Sequence, residues 1–233
     1  IAASMAEQAA HGRVSLDESG SFLYEPDVDF EGQDTFKYFA SDGIGRGNTV
    51  TVTIDVTSRP IVINEVMASN ATIMESRKSK YASSSFRGES ATPAWVEILN
   101  RHSQSIDLSG MHLTDDISNP TKWQFPAGTR IQPNGYLVVF ASGQNVVDAD
   151  LDENGFLHTN FRLSGNGEYL ALTTEEGRTV YELPDGYPAQ VTDVSYGISP
   201  ADESDKLAYF VQPTPGKVNT DPRSGFVADT KFS

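Results

Sequence analysis

The chain has 233 residues, 38% of them hydrophobic and 21% charged, with no cysteine and a formal net charge of −15. Lacking cysteine, it has no disulfide scaffold, thiolate zinc site or cysteine nucleophile. Residues 1–57 carry 3 basic and 10 acidic side chains and residues 58–220 carry 12 and 20, so both parts repel a phosphate backbone. No apolar run approaches the ~20 residues that membrane insertion needs.

In chain order, the first expected strands are "SFLY" and "DTFKYFA", with Phe22/Tyr24 and Phe36/Tyr38 as inward pairs. "NTVTVTIDVT" follows, with Val50, Val52, Ile54 and Val56 on one face and Thr49, Thr51, Thr53 and Asp55 on the other. "GIGRG" at 43–47 reads as the turn joining two strands, not as a nucleotide loop. Pro60 restricts the residue before it to an extended form, so residues 58–60 are expected to be a short, stiff linker between domains 1–57 and 61–220.

Beyond the linker, strands are expected at 61–66, 95–99, 105–108, 111–114, 122–125, 136–140, 168–173 and 178–183, with weaker ones near 193–197 and 207–211. "YLVVF" is apolar throughout, as a strand buried on both faces would be. Helical spacing is sustained nowhere, which predicts an all-β sandwich. The stretch 70–93 interrupts the pattern: it is polar, serine-rich and carries Arg77, Lys78, Lys80 and Arg87. It is expected to be either a mobile insertion or a partner-binding loop.

Two acidic stretches suggest calcium. In "DLDENG", Asp150, Asp152 and Asn154 alternate ahead of Gly155, as in the first half of a calcium loop, and Asp148 is near. The twelfth position is Phe161, where a bidentate Glu would be expected; the alternative is a solvated acidic turn. In "PDVDFEGQD", Asp27, Asp29 and Asp34, with Asp42 further on, form the second candidate set.

Trp95 and Glu97 share one face of a strand. The structural reading is a core tryptophan beside a carboxylate that holds a loop backbone. The catalytic reading, a hydrolase or nuclease, requires two or more of Glu65, Glu97, Asp115 and Asp116 to converge with a histidine in one pocket. His11, His102, His112 and His158 show neither HxH nor HExxH spacing, so no zinc site is expected, and no catalytic residue is assigned.

The pieces "INEVMASN", "AWVEILNRHSQSIDLSGMHLTDD", "KWQFPAGTRIQPNGYLVVFASG", "LHTNFRLSGNGEYLALTTEEGRTV", "VSYGIS" and "PTPGKVN", in this order, resemble a bacterial lamin-tail domain over about residues 61–219. That resemblance implies an immunoglobulin-like β-sandwich, found in many bacterial surface or secreted multidomain proteins, with no catalytic residues to carry over. "HGRVSLDESGSFLYEPDVDFEGQDTFKYFASDGIGRGNTVTVTIDV" resembles the C-terminal half of a cadherin-like tandem repeat of large bacterial adhesins, in which calcium often sits at repeat boundaries. Residues 221–233 read as a linker or the opening of a further domain.

The expected molecule is therefore an immunoglobulin-like β-sandwich preceded by a partial β-sandwich repeat. Its expected role is non-catalytic, spacing neighbouring domains of an extracellular or cell-surface protein. A carbohydrate- or protein-binding adhesion module, with calcium as its one candidate cofactor, is the alternative. Exposed aromatic side chains beside the 70–93 loop would favour it.

Overall fold

The computed structural model of the protein describes residues 1–27, 30, 32–56, 60–77, 92–200 and 205–225. The chain divides into two compact units, Ile1–Ser58 and Arg59–Ser233. Apart from one 3-10 turn at Ala149–Leu151, the described residues form strands, turns and loops.

The first unit contains β1 (Ala2–Glu7), β2 (Gly12–Leu16), β3 (Phe22–Pro26), β4 (Gly32–Ser41) and β5 (Arg46–Val56). β4 lies between β1 and β5 in an antiparallel sheet, and β2 pairs with β3 as a separate hairpin. Residues 42–45 form the turn between β4 and β5, where the Asp42 carboxylate accepts the N–H groups of Ile44 and Gly45. Phe36 faces Val52, and Tyr38 faces Val50, across the ladder.

The expected apolar face is present but incompletely covered. Among the described residues of this unit only Val14 and Phe36 are buried apolar residues; Val52, Ile54 and Val56 are half-buried, and Val50 is 47% exposed. Phe22, expected to point inward, meets Phe36 edge-on at 4.9 Å yet stays 46% exposed. A hairpin of two five-residue strands is too short to roof an eleven-residue strand. β1 gave no sequence signal because "AASMAE" has no apolar alternation.

The second unit is a two-sheet sandwich. Its strands are β6 (Ile61–Met67), β7 (Trp95–Asn100), β8 (Ile106–Asp107), β9 (His112–Thr114), β10 (Trp123–Gln124), β11 (Arg130–Ile131), β12 (Tyr136–Phe140), β13 (Leu157–His158), β14 (Ala171–Thr173), β15 (Thr179–Glu182), β16 (Ser195–Ile198) and β17 (Leu207–Phe210). Six of them form one sheet in the order β13-β12-β7-β6-β16-β17, and four form another in the order β10-β9-β14-β15; β8 and β11 make a small ladder. The core holds Val62, Val96, Ile98, Leu113, Trp123, Phe125, Val139, Leu172 and Tyr181 among others. Trp123 and Phe125 meet edge-on at 4.9 Å.

The six-stranded sheet is covered on its outer face as well. Met67, Trp95, Val138 and Phe140 form a second cluster there, with Ile73, Met74 and Phe156 packed against it. This explains both the continuous apolar run of β12 and the complete burial of β6. Trp95 is fully buried, but in this outer cluster, not in the main core, because the inward positions of β7 are Val96 and Ile98.

The start of the 70–93 stretch supplies that cover. Asn70 donates to the Met74 and Pro93 carbonyls and accepts from Ile73 N–H, while Asp193 accepts from the N–H groups of Ala71 and Thr72. Residues 70–77 are therefore a packed flap; residues 78–91, most of the stretch expected to be a mobile insertion or a partner-binding loop, lie outside the described residues. Arg77 pairs with Glu75 at 3.0 Å; Lys78, Lys80 and Arg87 lie outside the described residues.

Candidate functional site

Adjacent strands β6 and β7 place Glu65 directly opposite Glu97, on the same side of the sheet as Met67 and Trp95. Both glutamates are fully buried. Asn64 Nδ2 donates to Glu97 Oε1 at 2.8 Å, and the Gly216 N–H donates to Glu97 Oε2. Ser195 Oγ, from β16, donates to Glu65 Oε1, as does the Thr214 N–H at 3.3 Å. Glu65 Oε2 is buried with no hydrogen-bond partner among the described residues.

The loop that meets these carboxyl groups is the sequence "PTPGKVN", residues 213–219. Asn219 fastens its far end, donating to the carbonyls of Asn64 and Ile198 and accepting from Thr214 Oγ1. Gly197 faces Glu65 in the ladder, and an added Cβ there would lie 2.1 Å from the Asn64 carbonyl oxygen. Glycine alone lets β16 come this close to β6.

Burial pushes Glu65 up to about 7, against the opposing pull of its bonds to Ser195 and Thr214. Burial likewise pushes Glu97 up to about 8, opposed by Gly216 and Asn64 and assisted by the nearby Glu65 charge. Both Glu97 oxygens accept N–H donors, whereas among the described residues Glu65 Oε2 accepts none, so hydrogen bonding favours an ionised Glu97 more than an ionised Glu65. The structural reading of Glu97 holds: it grips a loop backbone. Glu65 as its partner was legible as a residue, but the closing loop as the gripped element was not, since it lies 119 residues from Glu97.

A second buried polar cluster centres on His158. Ser142 Oγ lies 2.9 Å from Nδ1, and Asp152 Oδ2 lies 3.2 Å from Nε2. Ser76 Oγ donates to the same Asp152 oxygen at 2.7 Å, tying the flap to this cluster. Burial depresses His158, opposed by Asp152, so the ring is neutral at pH 7. Asp152 and His158 were separate features in the sequence; Asp152 ends the 3-10 turn and His158, six residues on, lies in β13.

The calcium candidates do not assemble as drawn from spacing. Asp148 caps the 3-10 turn by accepting the Asp150 N–H, Asp150 is exposed, and Asp152 turns inward to His158. Asn154 directs its side-chain amide to the Glu75 carbonyl. In the other set, Asp34 and Asp42 stand at opposite ends of β4, about 26 Å apart at ~3.3 Å per residue. Asp27 lies next to the hairpin, its N–H on the His11 carbonyl, and Asp29 is outside the described residues. Among the described residues no group of three or more His, Asp or Glu converges on a metal-sized space.

Asp34 instead organises the first unit. It accepts the N–H groups of Ala10, His11 and Thr35 and the Tyr24 hydroxyl. Burial acts to raise it, but these bonds prevail and hold it at about 2; burial and the Asp34 contact push Tyr24 up to about 12.

Of the arrangement a hydrolase requires, two carboxyl groups come together without a histidine among their bonded partners. Glu65 and Glu97 converge, but Asp115 pairs with Lys122 at 2.5 Å, Asp116 accepts from Ser118, and His112 bonds the Thr174 carbonyl. The glutamates are sealed from solvent. A concave surface of about 410 Å³ nearby is lined by Asn64, Arg101, Tyr136, Asp205 and Asn219, with Arg101 and Asp205 ion-paired at 2.7 Å. Among the described residues of the second unit, every aromatic side chain is buried or half-buried.

Compared with known families, residues 55–186 match the Lamin Tail Domain and residues 1–55 match a Bacterial Ig domain. The sandwich continues beyond the matched span, since β16, β17 and the closing loop complete its larger sheet. No curated protein matches the chain. Immunoglobulin-like domains of these kinds are generally non-catalytic modules, and among the described residues no helix is long and apolar enough to cross a membrane.

Proposed function

The chain belongs to the lamin tail domain family, and from that premise we propose that it is a structural module spacing or positioning neighbouring domains of an extracellular or cell-surface bacterial protein. The observation that carries this reading is the use made of the buried polar groups. Glu65, Glu97, Asp152 and His158, the residues best suited to chemistry, are sealed and spent on holding the flap and the closing loop to the sheet. A site built for turnover would leave such groups facing a cleft.

The bacterial Ig domain ahead of the sandwich supports an extracellular setting, since such domains are typical of extracellular proteins. The charge of −15 supports partners other than nucleic acid. Sandwich loops are the usual recognition surfaces of such modules, yet no exposed aromatic platform accompanies them among the described residues of the second unit. Spacing is thus favoured over carbohydrate adhesion.

The test is a swap within the parent protein: residues 59–225 replaced by an unrelated immunoglobulin-like sandwich of similar length. Retained activity and surface display, the latter read by protease accessibility on intact cells, are expected for a spacer. Loss of binding with display intact would assign the module a partner of its own.

A further inference from the structure

The Glu65–Glu97 pair lies beneath the closing loop, and the donors that reach it are uncharged: Ser195 Oγ, Asn64 Nδ2 and the N–H groups of Thr214 and Gly216. Two ionised carboxylates there would face each other across the ladder, with Glu65 Oε2 an anionic oxygen lacking a donor. Uncompensated charge of this kind is relieved by a proton or by water. The closing loop gives water a short route. Gly216, Lys217 and Val218 are exposed on the outside of the loop whose inner N–H groups touch the carboxyls, so lifting the loop wets the pair.

We propose that the carboxyl pair is a proton-operated latch on residues 213–219: with a proton on the pair the loop is clamped to β6 and β7, and loss of that proton opens it. The other groups that face the pair do not replace the proton. Tyr136, on β12, is itself raised by burial and by Glu97. Arg101 is taken up by Asp205 along the neighbouring concavity, and Lys217 points to solvent. Ser195, Asn64, Thr214 and Asn219 are neutral. The latch is a local conformational device, distinct from the spacing role, and stands or falls separately from the domain swap.

The sign follows from the raised carboxyl groups. The closed loop holds a proton that the open, solvated pair releases, so closure is fully favourable below the ordinary carboxylate range near 4.5 and is lost as pH rises through about 7 to 8. The measurement is amide hydrogen exchange at Thr214 and Gly216 between pH 5 and pH 9, corrected for intrinsic rates. Protection is expected to fall by up to about tenfold per pH unit across the lower part of this range and to level off above about pH 8. Glu65→Gln leaves a single glutamate, whose two oxygens both accept N–H donors, and should make the fall shallower than in the wild type.

Flat protection in the wild-type chain overturns the latch, and so does a fall that is unchanged in Glu65→Gln. If calcium chloride at pH 9 restores protection in the wild type and not in Glu65→Gln, a cation discharges the pair and the proton mechanism is wrong. Should Glu65→Gln not fold, carboxyl carbon NMR of the wild type decides. A glutamate titrating near 7 or above supports the latch, and two ordinary titrations near 4.5 overturn it.

Discussion

The first unit contains the longest strands of the chain, β4 and β5 of ten and eleven residues, whereas the second is assembled from strands of two to seven. The regular ladder nonetheless belongs to the unit with the thinner core. Ladder hydrogen bonds exchange for bonds to water and contribute little net, while each fully buried large apolar side chain contributes about 1.5–3 kcal/mol. The second unit's two-residue strands are held in place by Trp123, Phe125, Leu113 and Leu172 packing between the sheets. The first unit has Val14, Phe36 and the Asp34 hub. Strand length is a poor guide to stability; the number of faces covered is a better one.

The sharpest way to break this contrast is a pair of matched truncations. Phe36→Ala and Trp123→Ala each remove a fully buried ring, with an expected loss of about 3–5 kcal/mol. In the first unit that loss should abolish folding of residues 1–58; in the second it should lower the melting temperature while the sandwich persists. Calorimetry together with amide NMR separates the two. Equal responses would show that the first unit has support beyond its visible core.

Gly197→Ala should cost the second unit about 1–3 kcal/mol, because the new Cβ meets rigid backbone at 2.1 Å. Chemical denaturation measures it, and a neutral result would mean that β16 can move away from β6 freely. In the first unit, Asp34→Asn should reduce exchange protection of the Ala10 and His11 amides by roughly tenfold, since a carboxylate accepting two N–H bonds is replaced by an amide that can match one. Wild-type stability linked to Asp34 is present above the ordinary carboxylate range and is lost as pH falls toward 2, opposite in sign to the glutamate pair of the second unit. An acid titration of both units should show the two trends diverging. Least of all, Arg178→Ala breaks an exposed pair with Glu176 at 3.5 Å and should shift stability by less than about 0.5 kcal/mol.

Much of this was legible beforehand. Alternation in "NTVTVTIDV" marked β5, and the unbroken apolar run of "YLVVF" marked a strand covered on both sides. Very short strands such as β11 and β13 left no trace, because two residues carry no period and their conformation is imposed by neighbours. Acidic spacing does not show where its side chains turn. "DLDENG" has the composition of a calcium loop, and in the fold its Asp152 turns inward to His158. The flap is similar: "NATIMESR" looks polar, yet Ile73 and Met74 are what cover Trp95.

By itself the sequence determined the strand-forming segments, the all-β class, the punctuation at Pro60 and the presence of a carboxylate beside Trp95, because these depend on local periodicity and backbone preference. Only the tertiary structure decided that Glu65 and Glu97 are neighbours, that "PTPGKVN" closes over them, and that Trp95 lies outside the main core. Those outcomes depend on strand order and sheet stacking, which join residues up to 155 positions apart and leave no mark on any short window of sequence.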